Sequence, residues 1–242
     1  MSKVVTPYAG SDSGKKEQVE QMFDDVAHRY DFLNRFLSVG IDIWWRKKMV
    51  AALKRCNPQQ ILDIATGTAD VAIALRKLGP QKITGIDLSE GMLAIGRKKV
   101  QQKGLSHLIE LKKADSENLP FTDRQFDAVT VAFGVRNFEN LQAGLQEMNR
   151  VLSEGGKVVI LEFSRPHVFP VKQLYDIYFR YFCPFIGKLF SKNVSAYQYL
   201  YDSVQAFPDG ASFEKQMQDA GFKETKSSRL TFGIVTLYTG NK

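Results

Sequence analysis

Acidic side chains and a single glycine stand at a spacing that suits nucleoside binding. A short apolar run ends near Asp63, Gly67 follows in the next turn, and Asp87 lies 20 residues after Gly67. Glycine allows the backbone to approach a ligand closely, and an acid at this distance can accept hydrogen bonds from both ribose hydroxyls. Taken alone, Gly67 also fits an ordinary strand-to-helix turn. The predicted cofactor contacts here are Asp63, Gly67, Thr68 and Asp87.

A third loop and the glycine pattern narrow the choice of cofactor. Asp115 could hold an adenine amino group, with the Ser116 backbone nearby, although an exposed turn would explain the same residues. NAD carries a pyrophosphate that favours a three-glycine loop, whereas Ala69 replaces the second glycine here. S-adenosylmethionine presents a sulfonium and an amino acid tail, which suit an acid-rich loop. The sequence therefore favours S-adenosylmethionine over NAD.

The elements that must position these residues alternate regularly along the chain. Strand, helix, strand, helix in this order predicts a doubly wound parallel sheet. Two adjacent strand candidates close the chain as a hairpin, so one of them must run antiparallel. We therefore predict an α/β, Rossmann-like sheet of seven strands, mostly parallel, with one antiparallel strand near the edge. The predicted strands are 61–65, 82–87, 109–112, 128–132, 157–163, 223–230 and 234–239.

The predicted organisation is one domain with two helical additions. Residues 1–14 are polar and small and predict a flexible arm, and 15–242 form the domain. Helical periodicity at 15–57 predicts an N-terminal lid. The segment 165–205 holds eleven Phe and Tyr with several basic residues, which suits a helical insertion at a bilayer interface or in an apolar groove. Core helices with basic outer faces are the alternative.

Composition excludes several classes of protein. Two cysteines and three scattered histidines offer no metal-ligand spacing, so we predict no metal site. No run approaches the roughly 20 apolar residues of a membrane span, and the first residues lack a secretory core. We therefore expect a cytoplasmic protein, with peripheral membrane contact an open possibility. The formal net charge of +7 favours an anionic partner, such as acidic lipid or nucleic acid.

Several longer motifs stand in a fixed order and carry a family resemblance. YDFLN at 30–34 precedes LSVGIDIW at 37–44, and RVLSEGG at 150–156 runs into LEFSRP at 161–166. FGVRN, YQYL and DAGF follow at 133–137, 197–200 and 219–222. Together these motifs resemble the demethylmenaquinone/ubiquinone C-methyltransferase family over residues 17–240.

The resemblance implies a cofactor, a substrate and a set of contacts. Thr68, Asp87, Asp115 and Ser116 match the family's S-adenosylmethionine contacts. Three departures stand out: Ala69 replaces a frequent glycine, Asp42 a frequent histidine and Ala132 a frequent serine. The implied reaction is C-methylation of demethylmenaquinol to menaquinol, the last step of menaquinone biosynthesis. The implied partner is thus a polyprenyl quinol.

Two other functions remain open at this point. C-methylation of a polyprenyl benzoquinol in ubiquinone biosynthesis fits the same motifs. A nucleic-acid methyltransferase would fit the basic charge, but amino-directed base methylation usually shows an Asn/Asp-Pro-Pro-aromatic loop where residues 132–136 read AFGVR. We therefore expect no nucleic-acid partner. The sequence does not indicate an oligomeric state.

Methyl transfer to a quinol carbon requires alignment, stabilisation of a developing oxyanion and a proton acceptor. Arg136 and Asn137 follow the fourth predicted strand, so we predict that Arg136 stabilises the phenolate and that Asn137 orients an oxygen. Arg136 as a structural ion-pair partner is the alternative. Tyr30, Asp31 and Asn34 are predicted to cover the substrate, with Asp31 as proton acceptor.

Overall fold

A seven-stranded mixed sheet forms the centre of the molecule. The computed structural model describes residues 5–8, 10–178 and 194–242. The strands are β1 (Gln60–Ile64), β2 (Lys82–Asp87), β3 (Ile109–Lys113), β4 (Phe126–Ala132), β5 (Leu152–Phe163), β6 (Lys223–Leu230) and β7 (Val235–Asn241). They lie in the order β3-β2-β1-β4-β5-β7-β6, and β7 runs antiparallel to β5 and β6. The predicted fold class is confirmed, including the reversed strand next to the edge.

Helices cover both faces of this sheet. They are α1 (Lys15–Leu37), α2 (Asp42–Leu53), α3 (Asp70–Leu75), α4 (Glu90–Gln102), α5 (Leu141–Val151), α6 (Val171–Ile177), α7 (Val194–Ala206) and α8 (Ala211–Asp219). Side chains of α2, α3 and α4 pack on one face, and those of α5 and α8 pack on the other. Because helices cover both faces, β1 is buried at four of its five positions, and Ile61, Leu62 and Ile64 are apolar.

Side-chain caps begin two of the helices next to the carboxyl ends of the strands. The Ser89 hydroxyl accepts a hydrogen bond from the Met92 backbone at α4, and Asn140 accepts one from the Ala143 backbone at α5. Such caps typically contribute about 1 kcal/mol each. They fix where the loops after β2 and β4 end.

The loops after β1 and β4 press tightly against each other. A Cβ placed on Gly134 would lie 2.5 Å from the Cβ of Ala65, so no larger residue fits there without a shift. Ala65 and Phe133 adopt left-handed conformations with φ of 52° and 58°. Non-glycine residues seldom occupy this region, and clusters of them occur at functional sites. The floor between these loops is therefore closely packed and strained.

The predicted N-terminal lid, 15–57, lies across the carboxyl ends of the strands. Helix α1 packs on α4, and its Asp24 accepts a 2.5 Å hydrogen bond from the Ser89 hydroxyl. The Lys15 Nζ atom donates to the Phe138 carbonyl at 2.7 Å. These contacts attach one helix to the loops after two different strands.

The two remaining segments are described only in part. Within the predicted arm, the Tyr8 backbone donates a 2.9 Å hydrogen bond to Gln18 of α1. The predicted insertion, 165–205, contains α6 and α7, while 179–193 and several of its aromatic residues lie outside the described residues. Among the helices that the structure describes, none combines the length and hydropathy needed to cross a bilayer.

Candidate active site

Two neighbouring cavities open at the carboxyl ends of the parallel strands. The first, here called the narrow cleft, lies between the loops after β1, β2, β3 and β4, with α1 as its outer wall. The second, here called the apolar cavity, has a volume of about 640 Å³ and is lined by α1, α2, α6 and α7 together with the β1 and β4 loops. Both include Phe23, Tyr30, Ala65, Gly67, Ala132 and Phe133 in their walls. This end of an open α/β sheet is where ligands bind.

Asp87 ends β2 with its carboxylate in the narrow cleft. One oxygen accepts a 2.8 Å hydrogen bond from the Gly67 backbone, and the other accepts a 3.0 Å bond from the Ser89 backbone. Burial raises the pKa of Asp87 to about 6, although these backbone donors oppose the rise. At neutral pH the cleft therefore holds a half-buried carboxylate that connects the loops after β1 and β2.

Asp63 lies behind the loop rather than on the wall of either cavity. Its carboxylate accepts hydrogen bonds of 2.6 Å from the hydroxyls of Thr66 and Thr130. Burial raises the pKa of Asp63 to about 6, and the two threonine hydroxyls oppose this rise. Its predicted contact with a cofactor stays a prediction. In the structure Asp63 holds the turn that contains Gly67.

The predicted adenine contacts lie on the loop after β3. Ser116 is buried and lines the narrow cleft. Asp115 pairs with Lys16 of α1 at 2.7 Å and accepts a 2.9 Å hydrogen bond from the Glu117 backbone. Lys16 and Glu117 line the cleft, so the Asp115 carboxylate supports this wall from behind.

A chain of charged groups connects the lid to the loop after β1. The Thr68 hydroxyl donates to Asp31 at 2.5 Å and accepts from Lys99 at 2.9 Å. Lys99 forms ion pairs of 2.7 Å with both Asp31 and Asp70, and Arg46 pairs with Asp70 at 2.9 Å. Both Asp31 oxygens are thus engaged. The predicted role of Asp31 as proton acceptor stays a prediction.

Arg136 forms a buried ion pair with Glu162 of β5. Its Nη1 atom lies 2.8 Å from a Glu162 oxygen and 2.5 Å from the Phe133 carbonyl. Burial raises the pKa of Glu162, and the guanidinium opposes that rise. The ion pair that the sequence left as an alternative is therefore present. Arg136 also lines the apolar cavity, so the two interpretations are compatible.

Asn137 and Tyr30 face the boundary between the cavities. Asn137 lines the narrow cleft but not the apolar cavity, and its buried Oδ1 has no hydrogen-bond partner among the described residues. Tyr30 lines both cavities, and burial raises its pKa. The structure thus brings Arg136 and Asn137 to opposite sides of the same turn.

The apolar cavity opens at a hydrophobic part of the surface, here called the apolar rim. Within the described residues, every large hydrophobic side chain that is exposed comes from residues 32–44, 168–177 or Phe232. The rim consists of Phe32, Phe36, Val39, Ile41, Ile43, Trp44, Val168, Phe169, Leu174, Ile177 and Phe232. Val39, Ile41 and Leu174 also line the cavity. Such a concentration of apolar surface marks an interaction site.

Three residues that line these cavities or contact their lining residues were not predicted from the sequence. Glu162 follows the apolar run 158–161, and an acid at such a position was a signal for a buried partner. Lys99 and Tyr199 lie on helices whose periodicity gave no reason to single them out. Across the residues that the structure describes, no group of acidic, His or Cys side chains is arranged to hold a metal ion.

Comparison with known proteins identifies the family. A model of the ubiE/COQ5 methyltransferase family matches residues 11–242. A demethylmenaquinone methyltransferase from Bacteroides fragilis is 51% identical over 98% of this chain and 97% of its own length. A ubiquinone/menaquinone biosynthesis C-methyltransferase UbiE from Geotalea daltonii is 49% identical, covering 94% of this chain and 97% of that protein.

The fold alone is shared with more distant solved structures. A SAM-dependent methyltransferase from Thermotoga maritima, a possible histamine N-methyltransferase, is 19% identical with a TM-score of 0.65 and covers 92% of this chain and 99% of its own. The family motifs of the sequence, the sheet and the near full-length relatives agree. This chain belongs to the ubiE/COQ5 methyltransferase family.

Proposed function

We propose that this chain transfers a methyl group from S-adenosylmethionine to a ring carbon of demethylmenaquinol and so forms menaquinol. The observation that carries the proposal is the meeting of a carboxylate-bearing cleft with a 640 Å³ apolar cavity at one shared wall. The name of the Bacteroides relative supports this substrate. A benzoquinol precursor of ubiquinone is the second candidate, because the Geotalea relative is named for both pathways.

The narrow cleft offers the groups that the cofactor requires. S-adenosylmethionine, when bound, supplies an electrophilic methyl group on a sulfonium. Asp87 would accept hydrogen bonds from the ribose hydroxyls, and Ser116 would lie beside the adenine. Asn137 Oδ1, buried and without a partner in the described part of the chain, suits the ammonium of the amino acid tail. Gly67, in both walls, would let the methyl-bearing end approach the apolar cavity.

Arg136 is the group best placed to activate the quinol. Loss of a phenolic proton places negative charge on the ortho carbon, which makes that carbon nucleophilic. A free phenol has a pKa near 10, and an adjacent cation can lower it by roughly 1–3 units. In an apolar surrounding this stabilisation is stronger than in water. We keep Asp31 as the proposed proton acceptor. Because both of its oxygens are engaged, it would take the proton only after its contact with Lys99 or Thr68 breaks.

The first experiment identifies the substrate. Purified protein, labelled S-adenosylmethionine and either reduced demethylmenaquinone or a reduced demethylated benzoquinone are incubated separately. We expect label on the ring of the naphthoquinol, because the cavity can hold a two-ring head and an apolar tail. The oxidised quinones serve as controls and should stay unlabelled, since they are electrophiles. Label on the benzoquinol alone would favour the second candidate, and label on neither would reject the proposal.

The second experiment tests Asp87 through pH. Lowering the pH through about 6 protonates its carboxylate and removes an acceptor for the ribose, so S-adenosylhomocysteine affinity should fall there. Asp87→Asn should bind at least about tenfold more weakly at pH 7.5, as expected for hydrogen bonds to a charged group, with little pH dependence. Calorimetry measures both.

Asp127→Asn is the matched control, because Asp127 also accepts two backbone hydrogen bonds, from Gln59 and Gln60, but it lies at the amino ends of the strands, away from both cavities. Its affinity and pH profile should match those of the unaltered protein. An Asp87→Asn variant that binds S-adenosylhomocysteine normally would remove Asp87 from the cofactor site.

The third experiment tests Arg136 with a substitution that keeps a cation beside Glu162. Arg136→Lys keeps a cation beside the buried carboxylate, whereas alanine would leave that charge uncompensated and destabilise the fold by about 3–5 kcal/mol. Lysine lacks the planar fork, so we expect kcat to fall about tenfold to a thousandfold with S-adenosylhomocysteine affinity within about twofold. Arg150→Lys, in an ion pair with Glu147 outside both cavities, is the control. A full kcat in Arg136→Lys would exclude the proposed role.

We also propose that the apolar rim rests on the surface of an anionic bilayer, from which a polyprenyl tail could enter the cavity. Val39 is 84% exposed and Phe232 is 74% exposed, which is costly in water but favourable against lipid. Lys47 and Lys48 are exposed on the same α2 surface, and Lys48 lies 5.2 Å from the Trp44 ring. Basic and aromatic neighbours are typical of a membrane interface.

The fourth experiment tests this surface with vesicles. Val39 and Phe232 have φ of 51° and 57°, a region that aspartate adopts more readily than valine or phenylalanine. Val39→Asp with Phe232→Asp should therefore fold and lose most sedimentation with anionic vesicles. Asn57→Asp with Gln102→Asp adds the same charge near the amino ends of the strands. This control variant should sediment with anionic vesicles as the unaltered protein does. Equal binding by both variants, or binding insensitive to salt, would count against the rim.

A further inference from the structure

Tyr199 of α7 lies in the wall of the apolar cavity and has a buried hydroxyl. The residue is 3% exposed and lines the cavity. Its hydroxyl has no hydrogen-bond partner in the part of the chain that the structure describes. A buried polar group without a partner destabilises the folded protein, so such groups in native proteins call for an explanation. A ligand that accepts a hydrogen bond would supply one.

Packing holds this hydroxyl in place. The Tyr199 ring contacts Val19 and Met22 of α1, and α7 packs against the turn Val135–Asn137. Burial raises the pKa of Tyr199 to about 12, and the charge of Arg136 opposes the rise. The phenol therefore stays protonated at neutral pH. It is a fixed, neutral donor next to a cation.

Arg136 lines the same cavity and carries a second donor without a partner. Its Nη1 atom serves Glu162 and Phe133, whereas its buried Nε has no partner within residues 5–8, 10–178 and 194–242. Two donors and an apolar lining together favour a ligand with an oxygen acceptor on an otherwise apolar body. The oxygen of a quinol, and more strongly that of its phenolate, has this chemistry.

We propose that the Tyr199 hydroxyl donates a hydrogen bond to the quinol oxygen that ionises, alongside Arg136. This inference rests on the proposed function and adds a residue to that site. Tyr199 neither gains nor loses a proton in this role. Its bond becomes stronger as charge develops on the oxygen, so it stabilises the phenolate more than the neutral quinol.

The first test compares Tyr199→Phe with Tyr201→Phe. Tyr201 lies two residues further along the same helix and does not line the cavity. Tyr199→Phe removes only an unsatisfied hydroxyl, so its melting temperature should be unchanged or raised and its S-adenosylhomocysteine affinity should stay within about twofold. Its kcat on the accepted quinol should fall tenfold to a hundredfold. Tyr201→Phe should keep full kcat.

A second readout separates this role from the identity of the substrate. 4-Nitro-1-naphthol changes colour when it ionises, so its pKa can be measured while it is bound to the protein with S-adenosylhomocysteine. The unaltered protein should lower the pKa of the bound probe, and Tyr199→Phe should lower it less. If the quinols are not methylated but this difference persists, the proposed function fails and the donor role stands.

Two results would overturn the inference. The first is a Tyr199→Phe variant whose kcat and bound-probe pKa both match the unaltered protein. The second is a Tyr199→Phe variant in which the melting temperature and the S-adenosylhomocysteine affinity both fall together with the activity, because that pattern is expected for a structural residue. A more acidic quinol adds a further check, since the defect of Tyr199→Phe should shrink when less stabilisation is needed.

Discussion

The buried ion pair between Arg136 and Glu162 is the interaction on which the arrangement of the site depends. A carboxylate that is fully buried in a central strand loses several kcal/mol of hydration, which only a well-placed cation can offset. The turn after β4 must therefore lie against β5. Because Phe133 and Asn137 belong to this turn, the same ion pair sets the boundary between the narrow cleft and the apolar cavity. It also brings a cation to a cavity whose lining is mainly apolar.

A second constraint follows from helix α1, which forms a wall of both cavities. Phe23 and Tyr30 face the two cavities at once, while Asp24 and Asp31 bond to the loops after β2 and β1. A change in the position of this helix would therefore alter both cavities together. The proposed cofactor and substrate sites are therefore coupled by packing, and α1 is a wall of both cavities rather than a cover added to them.

The sequence predicted the sheet well because each element carries its own signal. Strand β2 was predicted at its observed bounds, 82–87. The partners of individual side chains were harder to predict. Lys99 reaches Asp31 and Thr68 from another helix, and Asp63 turns towards Thr66 and Thr130. Such pairings depend on how loops pack in three dimensions, which periodicity does not encode.

The polar atoms without partners are hydrogen-bond donors at one cavity and an acceptor at the other, and this difference indicates which ligand each cavity would bind. Among the described residues, Arg136 and Tyr199 line the apolar cavity and carry unpaired donors, Nε and the hydroxyl, whereas Asn137 lines the narrow cleft and carries an unpaired acceptor, Oδ1. Donors favour an oxygen that develops negative charge, and an acceptor favours an ammonium. A methyl donor with an amino acid tail and a phenolic methyl acceptor meet these opposite requirements. The polarity of each cavity thus matches one of the two reactants, and the shared wall is where they would meet.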